Sequence, residues 1–371
     1  MPTMPSTPST PSLHISTTLT DTPTSDERLA EIHADPGFGT HFTDHMLTVE
    51  WTPDAGWHDA RVTPYAPLTL DPATAVLHYA QETFEGMKAY RHADGSVWTF
   101  RPEENGARME RSSHRLALPV LPAADFVQAV DALVTADERW VPGASEAGEK
   151  SLYVRPFMFA SEAFLGVRPA QHVTFMVIAS PAGSYFKGGV RPVTLWLTEE
   201  YTRAGRGGMG AAKTGGNYAS SLVAQQEATA HGCDQVVFLD AQEGRYVEEL
   251  GGMNLYFVHD DGRIVTPGLG TILEGITRAS IIELAGKLGH QVEERPFSID
   301  EWRDGVRSGR ITEVFACGTA AVVTPVGELR WDGGSAPAPA STDLTMRIRQ
   351  ALVDVQHGRA DDTFGWMHRV V

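Results

Sequence analysis

The sequence contains little cysteine and little positive charge. Only Cys233 and Cys317 occur among 371 residues, which excludes a disulfide framework and an all-cysteine metal site. Lys and Arg total 30 against 47 Asp and Glu, for a formal charge of -17, which argues against nucleic acid or an anionic membrane surface as a partner. An anionic ligand would therefore need local cationic positions.

Targeting and membrane signals are also missing. The first 25 residues contain thirteen Ser or Thr and five Pro, with no apolar run and no Lys or Arg before Arg28, so neither a signal peptide nor a transit peptide fits. No uncharged apolar run approaches the roughly 20 residues of a membrane-spanning helix. We therefore expect a cytoplasmic protein, without a bound metal, whose residues 1–30 form a disordered Ser/Thr/Pro-rich tail.

The length and the order of elements predict two α/β domains. A chain of this length exceeds the size at which one core usually keeps growing, and 42% of its residues are hydrophobic. Strand-like runs at 172–180, 235–240 and 254–260 alternate with helical patterns such as 277–289. We expect a small amino-terminal α/β domain over 31–180, a Gly- and Pro-rich connection over 181–192, and a larger carboxyl-terminal domain over 193–371.

One lysine lies between two clusters of glycine in GGMGAAKTGGN, residues 207–217. The stretch is close to the nucleotide-binding pattern G-x-x-x-x-G-K-[ST], but Ala212 replaces the second glycine. That pattern needs a helix directly after the lysine, whereas Gly215 and Gly216 each cost a helix about 1 kcal/mol relative to alanine. A P-loop ATP-binding protein is therefore the alternative of a different class.

A cofactor joined to the lysine as a Schiff base is another use of such a stretch, because glycines leave room for a flat ring and a buried lysine can act as a nucleophile. Pyridoxal phosphate is the commonest such cofactor. Its ring nitrogen needs a carboxylate, for which Glu248 and Glu249 are both candidates. Its phosphate needs free amides at a helix start, for which residues 275–277, capped by the Thr277 hydroxyl, and residues 318–320 are candidates. A surface lysine in a flexible loop remains the simpler interpretation of this stretch alone.

Longer blocks of the sequence carry a resemblance to a known family. In chain order they include LHYAQETFEGMKAYR, FRPEENGARMERS, SLYVRPF, YTRAGRGGMGAAKTGGNYASSL, VEELGGMNLYFV, LEGITRASIIELA and FACGTAAVVTPVGEL. Together they resemble the branched-chain amino acid aminotransferases, which are pyridoxal phosphate enzymes of fold type IV. The resemblance implies an α/β fold with mixed α+β sheets and a barrel-like large domain, a homodimer, and reversible amino transfer from L-leucine, L-isoleucine or L-valine to 2-oxoglutarate.

The resemblance also implies roles for individual residues. Lys213 matches the Schiff-base lysine that shuttles a proton, Tyr218 the tyrosine at the cofactor's ring oxygen, and Glu249, rather than Glu248, the partner of the pyridinium nitrogen. The residues that match phosphate ligands are Arg108, Arg203, Ile276, Thr277, Thr319 and Ala320. The residues that match the substrate pocket are Phe38, Tyr79, Phe84, Tyr153, Arg155, Thr319 and Ala320, with Leu165 and Val167 reaching in from the neighbouring subunit.

Some positions depart from the family pattern, and some relatives have other substrates. Gly252 stands where some relatives carry threonine, and Ala321 and Thr324 stand where some animal relatives carry a C-x-x-C pair, so Cys317 is expected to be a packed free cysteine. The rivals with the same fold are a D-amino acid aminotransferase and a lyase that cleaves aminodeoxychorismate.

Overall fold

The chain folds into two compact units. The structure is a computed structural model that describes residues 12–144, 149–183 and 190–371. The first unit comprises Met1–Tyr185 with Val355–Val371, and the second comprises Phe186–Asp354. Within the described ranges, no helix has the length and apolar character to cross a bilayer.

The first unit is built on a mixed sheet whose strands are mostly antiparallel, in the order β1-β3-β2-β8-β7-β5-β6-β18, with β4 paired to β7. Its strands are β1 (Ser16–Thr17), β2 (His45–Thr52), β3 (Gly56–Pro64), β4 (Glu82–Phe84), β5 (Met87–Arg91), β6 (Val97–Phe100), β7 (Ser151–Ala160), β8 (Val173–Ala182) and β18 (Met367–Arg369). Its helices are α1 (Asp26–Ala34), α2 (Val76–Tyr79), α3 (Pro102–Arg115) and α4 (Ala123–Ala136), with a 3-10 turn at Glu138–Trp140.

Helix α4 covers one face of this sheet. Its apolar residues recur at helical spacing, so that Phe126, Val130, Leu133 and Val134 are all buried in the same core as strand residues such as Phe175. The predicted strand over 172–180 corresponds to β8, and its nearly continuous burial explains why the run reads as uniformly apolar.

The second unit is built on a mixed sheet in the order β11-β10-β9-β16-β15-β12-β13-β14, with β17 paired to β16. Its strands are β9 (Val193–Leu197), β10 (Gln235–Leu239), β11 (Val247–Leu250), β12 (Asn254–His259), β13 (Ile264–Thr266), β14 (Val292–Glu294), β15 (Ile311–Gly318), β16 (Val322–Trp331) and β17 (Gly334–Ala336). Its helices are α5 (Gly215–Ala219), α6 (Leu222–Ala230), α7 (Ile276–Lys287) and α8 (Ile299–Ser308), and α9 (Asp343–Gln356) begins in this unit.

Aromatic packing fixes helix α8 against the second sheet. The Phe257 ring stacks on Phe297 at a centroid distance of 3.9 Å and meets Trp302 edge-on at 4.9 Å. All three side chains are buried, so this cluster supplies a large apolar area to the second core. The strands predicted over 235–240 and 254–260 are β10 and β12, and both contribute to that core.

The predicted domain boundaries differ from the observed units. The expected larger domain over 193–371 loses its last residues to the first unit, because Met367–Arg369 pairs with β6 across a wide sequence separation. The expected small domain is therefore not the smaller unit. The expected connection over 181–192 overlaps the end of β8, and residues 184–189 of it lie outside the described residues.

The expected disordered tail over 1–30 is wrong for the part of it that the structure describes. Residues 1–11 lie outside the described residues, but Ser12 donates two hydrogen bonds to the buried Asp125 carboxylate at 2.5 and 2.9 Å, and the Thr20 amide donates to His45 Nε2 at 2.9 Å. Helix α1 begins at Asp26 with the Ser25 hydroxyl as its cap. The polar residues that suggested disorder are here satisfied by distant partners.

Replacing each of two helix glycines by alanine should change the free energy of unfolding in opposite directions. A Cβ at Gly286 in α7 meets no atom within 4 Å, so Gly286→Ala should raise the free energy of unfolding by about 0.5–1 kcal/mol. A Cβ at Gly305 in α8 would lie 2.4 Å from Ile311 Cδ1, so Gly305→Ala should lower it by about 1–3 kcal/mol. Urea denaturation of both variants tests this, and stabilisation by both would contradict the tight α8 packing.

Candidate active site

The glycine-rich stretch over 207–217, which we call the lysine loop, leads into a short helix. No helix starts at Lys213, as the two glycines predicted, but a short helix, α5, begins at Gly215. The two glycines occupy its first turn, where amides lack intrahelical acceptors in any case, and the helix lasts only five residues. The P-loop arrangement of strand, loop and helix is still not formed, because the preceding strand β9 ends at Leu197, far ahead of Gly207.

The lysine loop holds Lys213 beside a phenol. Lys213 Nζ donates to the Tyr218 hydroxyl at 2.7 Å, and both residues are half-buried. The Asn217 side chain donates to the Met209 and Ala212 carbonyls at 2.8 Å each and so closes the loop. The structure therefore brings together Lys213 and Tyr218, the lysine and the tyrosine to which the family resemblance assigns roles at the cofactor.

One glycine of the lysine loop is required by a close backbone contact. A Cβ at Gly210 would lie 2.0 Å from the Thr271 carbonyl oxygen, so no other residue fits there. A Cβ at Gly252 would meet Tyr218 Cε1 at 3.4 Å, an ordinary contact distance. Gly252 therefore leaves space against the tyrosine that hydrogen-bonds Lys213.

A buried ion pair lies in the same unit as Lys213. Arg203 Nη2 donates to Glu249 Oε1 and, at 3.2 Å, to the Gly210 carbonyl. Glu249 is only 2% exposed, and its Oε1 also accepts from the Leu273 amide at 3.1 Å. Arg203, which was predicted to bind the phosphate, thus contacts Glu249, which was predicted to bind the ring nitrogen.

The electrostatic state of Glu249 follows from its burial. Burial raises the pKa of Glu249 from its ordinary 4.5 to about 7, while the Arg203 guanidinium acts in the opposite direction. Burial also raises the pKa of the adjacent Glu248, whose carboxylate accepts from the Thr271 hydroxyl. A cation beside Glu249 would favour the ionised carboxylate and so lower this pKa again.

Two atoms of this pair fit a cofactor that carries a pyridinium and a phosphate. Within the described part of the chain, Arg203 Nε is buried and has no acceptor. Both hydrogen bonds to Glu249 end on Oε1, so its Oε2 is available to an N–H donor. A buried N–H without an acceptor is costly, so an added anion would stabilise it.

The helix predicted to bind phosphate is α7, and its cap differs from the prediction. The helix predicted over 277–289 is confirmed by α7, which is followed by Gly289 at a φ of +87°, but its buried face includes the polar residues Thr277, Arg278 and Ser280. The predicted capping by the Thr277 hydroxyl is wrong, because Gly275 is the N-cap and Thr277 lies inside the first turn. Gly275 is needed because Asn254 Oδ1 lies 2.1 Å from where its Cβ would be.

Residues 318–320, the second predicted phosphate segment, lie at the junction of β15 and β16. Gly318 ends β15, and Thr319 and Ala320 form the turn that follows, half-buried. Cys317 is a buried free cysteine, as expected, and burial raises the pKa of its thiol to about 12. It is therefore a packing residue and not a reactive thiol.

In the first unit, Arg108 is held by a carboxylate that the sequence did not single out. Arg108 Nε and Nη2 donate to the two oxygens of Glu85 at 2.8 and 2.7 Å, and Asn105 Nδ2 donates to Glu85 Oε2 at 2.8 Å. All three side chains are buried. Asn105 and Arg108 share one face of α3, so this fork fixes the plane of the guanidinium.

Most of the predicted substrate residues also cluster in the first unit. The Phe38 and Tyr153 rings meet edge-on at 5.1 Å, and the Arg155 guanidinium lies 4.9 Å from the Phe84 ring centre. Arg155 Nη2 donates to the Tyr153 hydroxyl at 3.1 Å, whereas the buried Arg155 Nε lacks an acceptor among the described residues. The cluster offers apolar walls and one cation with an unused donor.

Two further predicted substrate residues, Leu165 and Val167, are strongly exposed. Leu165 is 74% exposed and Val167 is 91% exposed, and the Tyr79 hydroxyl donates to the Leu165 carbonyl at 2.5 Å. Within the unit, these two aliphatic side chains therefore bury little apolar surface.

Comparisons with known proteins show the family of the chain. The family model described as amino-transferase class IV matches residues 82–329, and the chain belongs to that family. A probable branched-chain-amino-acid aminotransferase of Streptomyces coelicolor is 59% identical over 349 residues, which are 93% of this chain and 96% of the relative.

Solved structures give the same result. A branched-chain aminotransferase from Thermoproteus uzoniensis with norvaline matches with a TM-score of 0.74 at 26% identity, covering 88% of this chain and 100% of that one. A branched-chain amino acid aminotransferase from Escherichia coli matches with a TM-score of 0.69 at 28% identity, covering 88% and 99%. The predicted family and the two-domain α/β fold of type IV are confirmed, and the chain is an aminotransferase.

The raised pKa of Glu249 predicts a pH dependence of stability. Between its unfolded value near 4.5 and about 7, the folded apoprotein binds more protons at this carboxyl than the unfolded chain does, so this carboxyl makes the free energy of unfolding fall as pH rises. Glu249→Gln removes that contribution. The slope against pH should become more positive by up to about 1.4 kcal/mol per pH unit.

Urea denaturation of the apoprotein from about pH 5 to 7 measures this slope. Glu328→Gln is the matched control, because the pKa of that partly exposed carboxyl is lowered by its hydrogen bond to Arg330. An unchanged slope in the Glu249 variant would show that this carboxyl is ionised throughout the range.

Proposed function

We propose that this protein is a branched-chain amino acid aminotransferase that uses pyridoxal 5′-phosphate to exchange amino groups between L-leucine, L-isoleucine or L-valine and 2-oxoglutarate. The observation that carries the proposal is the pairing of Lys213 with Tyr218 at 2.7 Å in the unit that also buries Glu249. Its support is the 59% identity to the Streptomyces coelicolor relative over nearly the whole chain.

The second unit supplies residues of the right chemistry for the cofactor. Bound pyridoxal phosphate supplies an electron sink for the bond that breaks at the substrate's Cα. The Glu249 carboxylate would hold a protonated ring nitrogen, and Arg203, Ile276, Thr277, Thr319 and Ala320 would hold the phosphate through a guanidinium, amides and hydroxyls. Arg108 also matches a phosphate ligand of the family pattern.

Lys213 would act twice, first as the amine that anchors the cofactor and then as the base that takes the proton from the substrate's Cα. The Tyr218 hydroxyl, which accepts from Nζ at 2.7 Å, fixes the direction of that amine. A base so placed could be reused in each half-reaction, because the Lys213 amine would hold the proton removed from Cα until it is passed on.

The first unit supplies residues suited to the substrate. Phe38, Phe84 and Tyr153 offer apolar walls for a branched side chain, and the unused Nε of Arg155 offers a donor to a carboxylate. A site that accepts both leucine and glutamate needs such a cation beside its apolar walls, because a charged side chain cannot be buried without a partner.

We also propose a cytoplasmic homodimer in which Leu165 and Val167 are covered by the neighbouring subunit and reach its site. The support is their exposure of 74% and 91%, which leaves two aliphatic side chains without packing in the first unit. Among the described residues, both cysteines are free and buried, in keeping with a reducing compartment.

Replacing the lysine tests the central assignment. Lys213→Ala should lower kcat for transfer from L-valine to 2-oxoglutarate by about 10⁴-fold or more, since both the anchor and the base are lost. Lys287→Ala, at an exposed position in α7, is the matched control and should leave kcat unchanged. Full activity in the Lys213 variant would refute the assignment.

The same assay separates the rivals with this fold. L-valine should be converted far faster than D-alanine, and an aminated chorismate should not be cleaved. A preference for D-alanine would identify a D-amino acid aminotransferase and would overturn the substrate part of the proposal while leaving the cofactor part intact.

A further inference from the structure

The turn between β15 and β16 ends on a strained residue. Val322 has a φ of +62°, a left-handed conformation that a β-branched side chain rarely adopts, because its Cβ crowds the adjacent backbone. Such strain persists only where the surrounding structure enforces it, and it is concentrated at functional sites. Val322 directly follows the turn that contains Thr319 and Ala320.

A buried arginine enforces this conformation. Arg349 Nη1 donates to the Ala321 carbonyl at 2.8 Å and to the Val323 carbonyl at 2.7 Å. The side chain is only 5% exposed, so these bonds form in a low-dielectric environment where they are strong. A single guanidinium nitrogen thus bridges the two carbonyls that flank the strained residue.

The position of Arg349 is itself fixed by the strand that leads into the turn. Glu313 on β15 accepts from the Leu344 amide at 2.9 Å and from the Thr345 amide and hydroxyl at 2.7 Å each, which caps the start of α9. Arg349 follows Thr345 by four residues, so both lie on the same face of the helix. Strand β15 therefore places α9, and α9 places Arg349 beneath the turn.

We propose that Arg349 is a positioning residue that holds the turn in the conformation in which Thr319 and Ala320 bind the phosphate of the cofactor. This inference rests on the proposed function. The guanidinium acts on the backbone of the turn through the Ala321 and Val323 carbonyls. A purely structural role, in which Arg349 only fills the space between α9 and the sheet, would change stability without changing selectivity for the phosphate.

The test compares two ligands of the apoprotein, pyridoxal phosphate and pyridoxal, which differ only in the phosphate. Arg349→Lys keeps the buried charge but replaces a planar donor with a point donor. We expect the Kd for pyridoxal phosphate to rise about tenfold, as for one lost hydrogen bond of a charged group, and the Kd for pyridoxal to change less than about twofold. Fluorescence quenching measures both constants.

Relief of the strain should restore binding. Glycine adopts a φ of +62° without cost, so in the Val322→Gly background the same Arg349→Lys change should raise the Kd for pyridoxal phosphate less than about threefold. Arg330→Lys is the matched control, because that exposed arginine donates to the His231 carbonyl at 3.2 Å in the same unit. It should leave both constants at their wild-type values.

The outcomes separate the inference from the proposed function. An unchanged ratio of the two Kd values in Arg349→Lys, or a full tenfold loss in the Val322→Gly background, would overturn the positioning role. A wild-type protein that binds pyridoxal phosphate no better than pyridoxal would overturn the phosphate assignment and, with it, the proposed function. A phosphate-specific loss that Val322→Gly relieves supports both.

Discussion

The buried pair of Glu249 and Arg203 is the constraint on which the second unit depends. Removing a carboxylate and a guanidinium from water costs several kcal/mol for each ion, and a pair of apolar residues would pack there at lower cost. The structure nevertheless surrounds the pair with loops, and the Leu273 amide and the Gly210 carbonyl add hydrogen bonds to it, while Arg203 Nε has no acceptor among the described residues. Such a pair is explained by a ligand that needs both charges.

The segment over 248–254 connects the two ends of this site. Glu248 accepts from the Thr271 hydroxyl, Glu249 accepts from the Leu273 amide, and Asn254 Nδ2 donates to the Leu273 carbonyl at 3.2 Å. The loop held by these three bonds runs directly into α7 at Gly275. The carboxylate assigned to the ring nitrogen and the helix assigned to the phosphate are therefore held by one short piece of chain.

The hydrophobic pattern of the sequence predicted correctly several strands and one helix whose structure depends on neighbouring residues. The runs over 172–180, 235–240 and 254–260 are strands because their residues are apolar and largely β-branched or aromatic, and α7 follows its helical periodicity. The errors lie where distant partners decide the structure. The Thr20 amide is bound by His45, Met367–Arg369 pairs with β6, and Gly275 caps α7 because Asn254 leaves no room for a side chain.

In the candidate site, too, the sequence indicated some residues and missed others that meet across long sequence separations. The roles of Tyr218 and Glu249 beside Lys213 were implied by the family resemblance, and the structure places the lysine against the tyrosine. The supporting residues were missed, because Glu85 meets Arg108 across 23 positions and Arg349 meets Ala321 across 28, separations at which spacing carries no information. The sequence offers one signal for Glu85, which is its position directly after Phe84 in the block LHYAQETFEGMKAYR.

The most direct test of the account is the visible absorbance of the purified protein before and after L-leucine is added without any oxo acid. We predict a yellow protein whose band fades as the amino group passes to the cofactor, since Lys213 would hold the cofactor and then release it to the substrate. A protein that stays colourless after incubation with pyridoxal phosphate would contradict the account, as would a yellow band that L-leucine leaves unchanged.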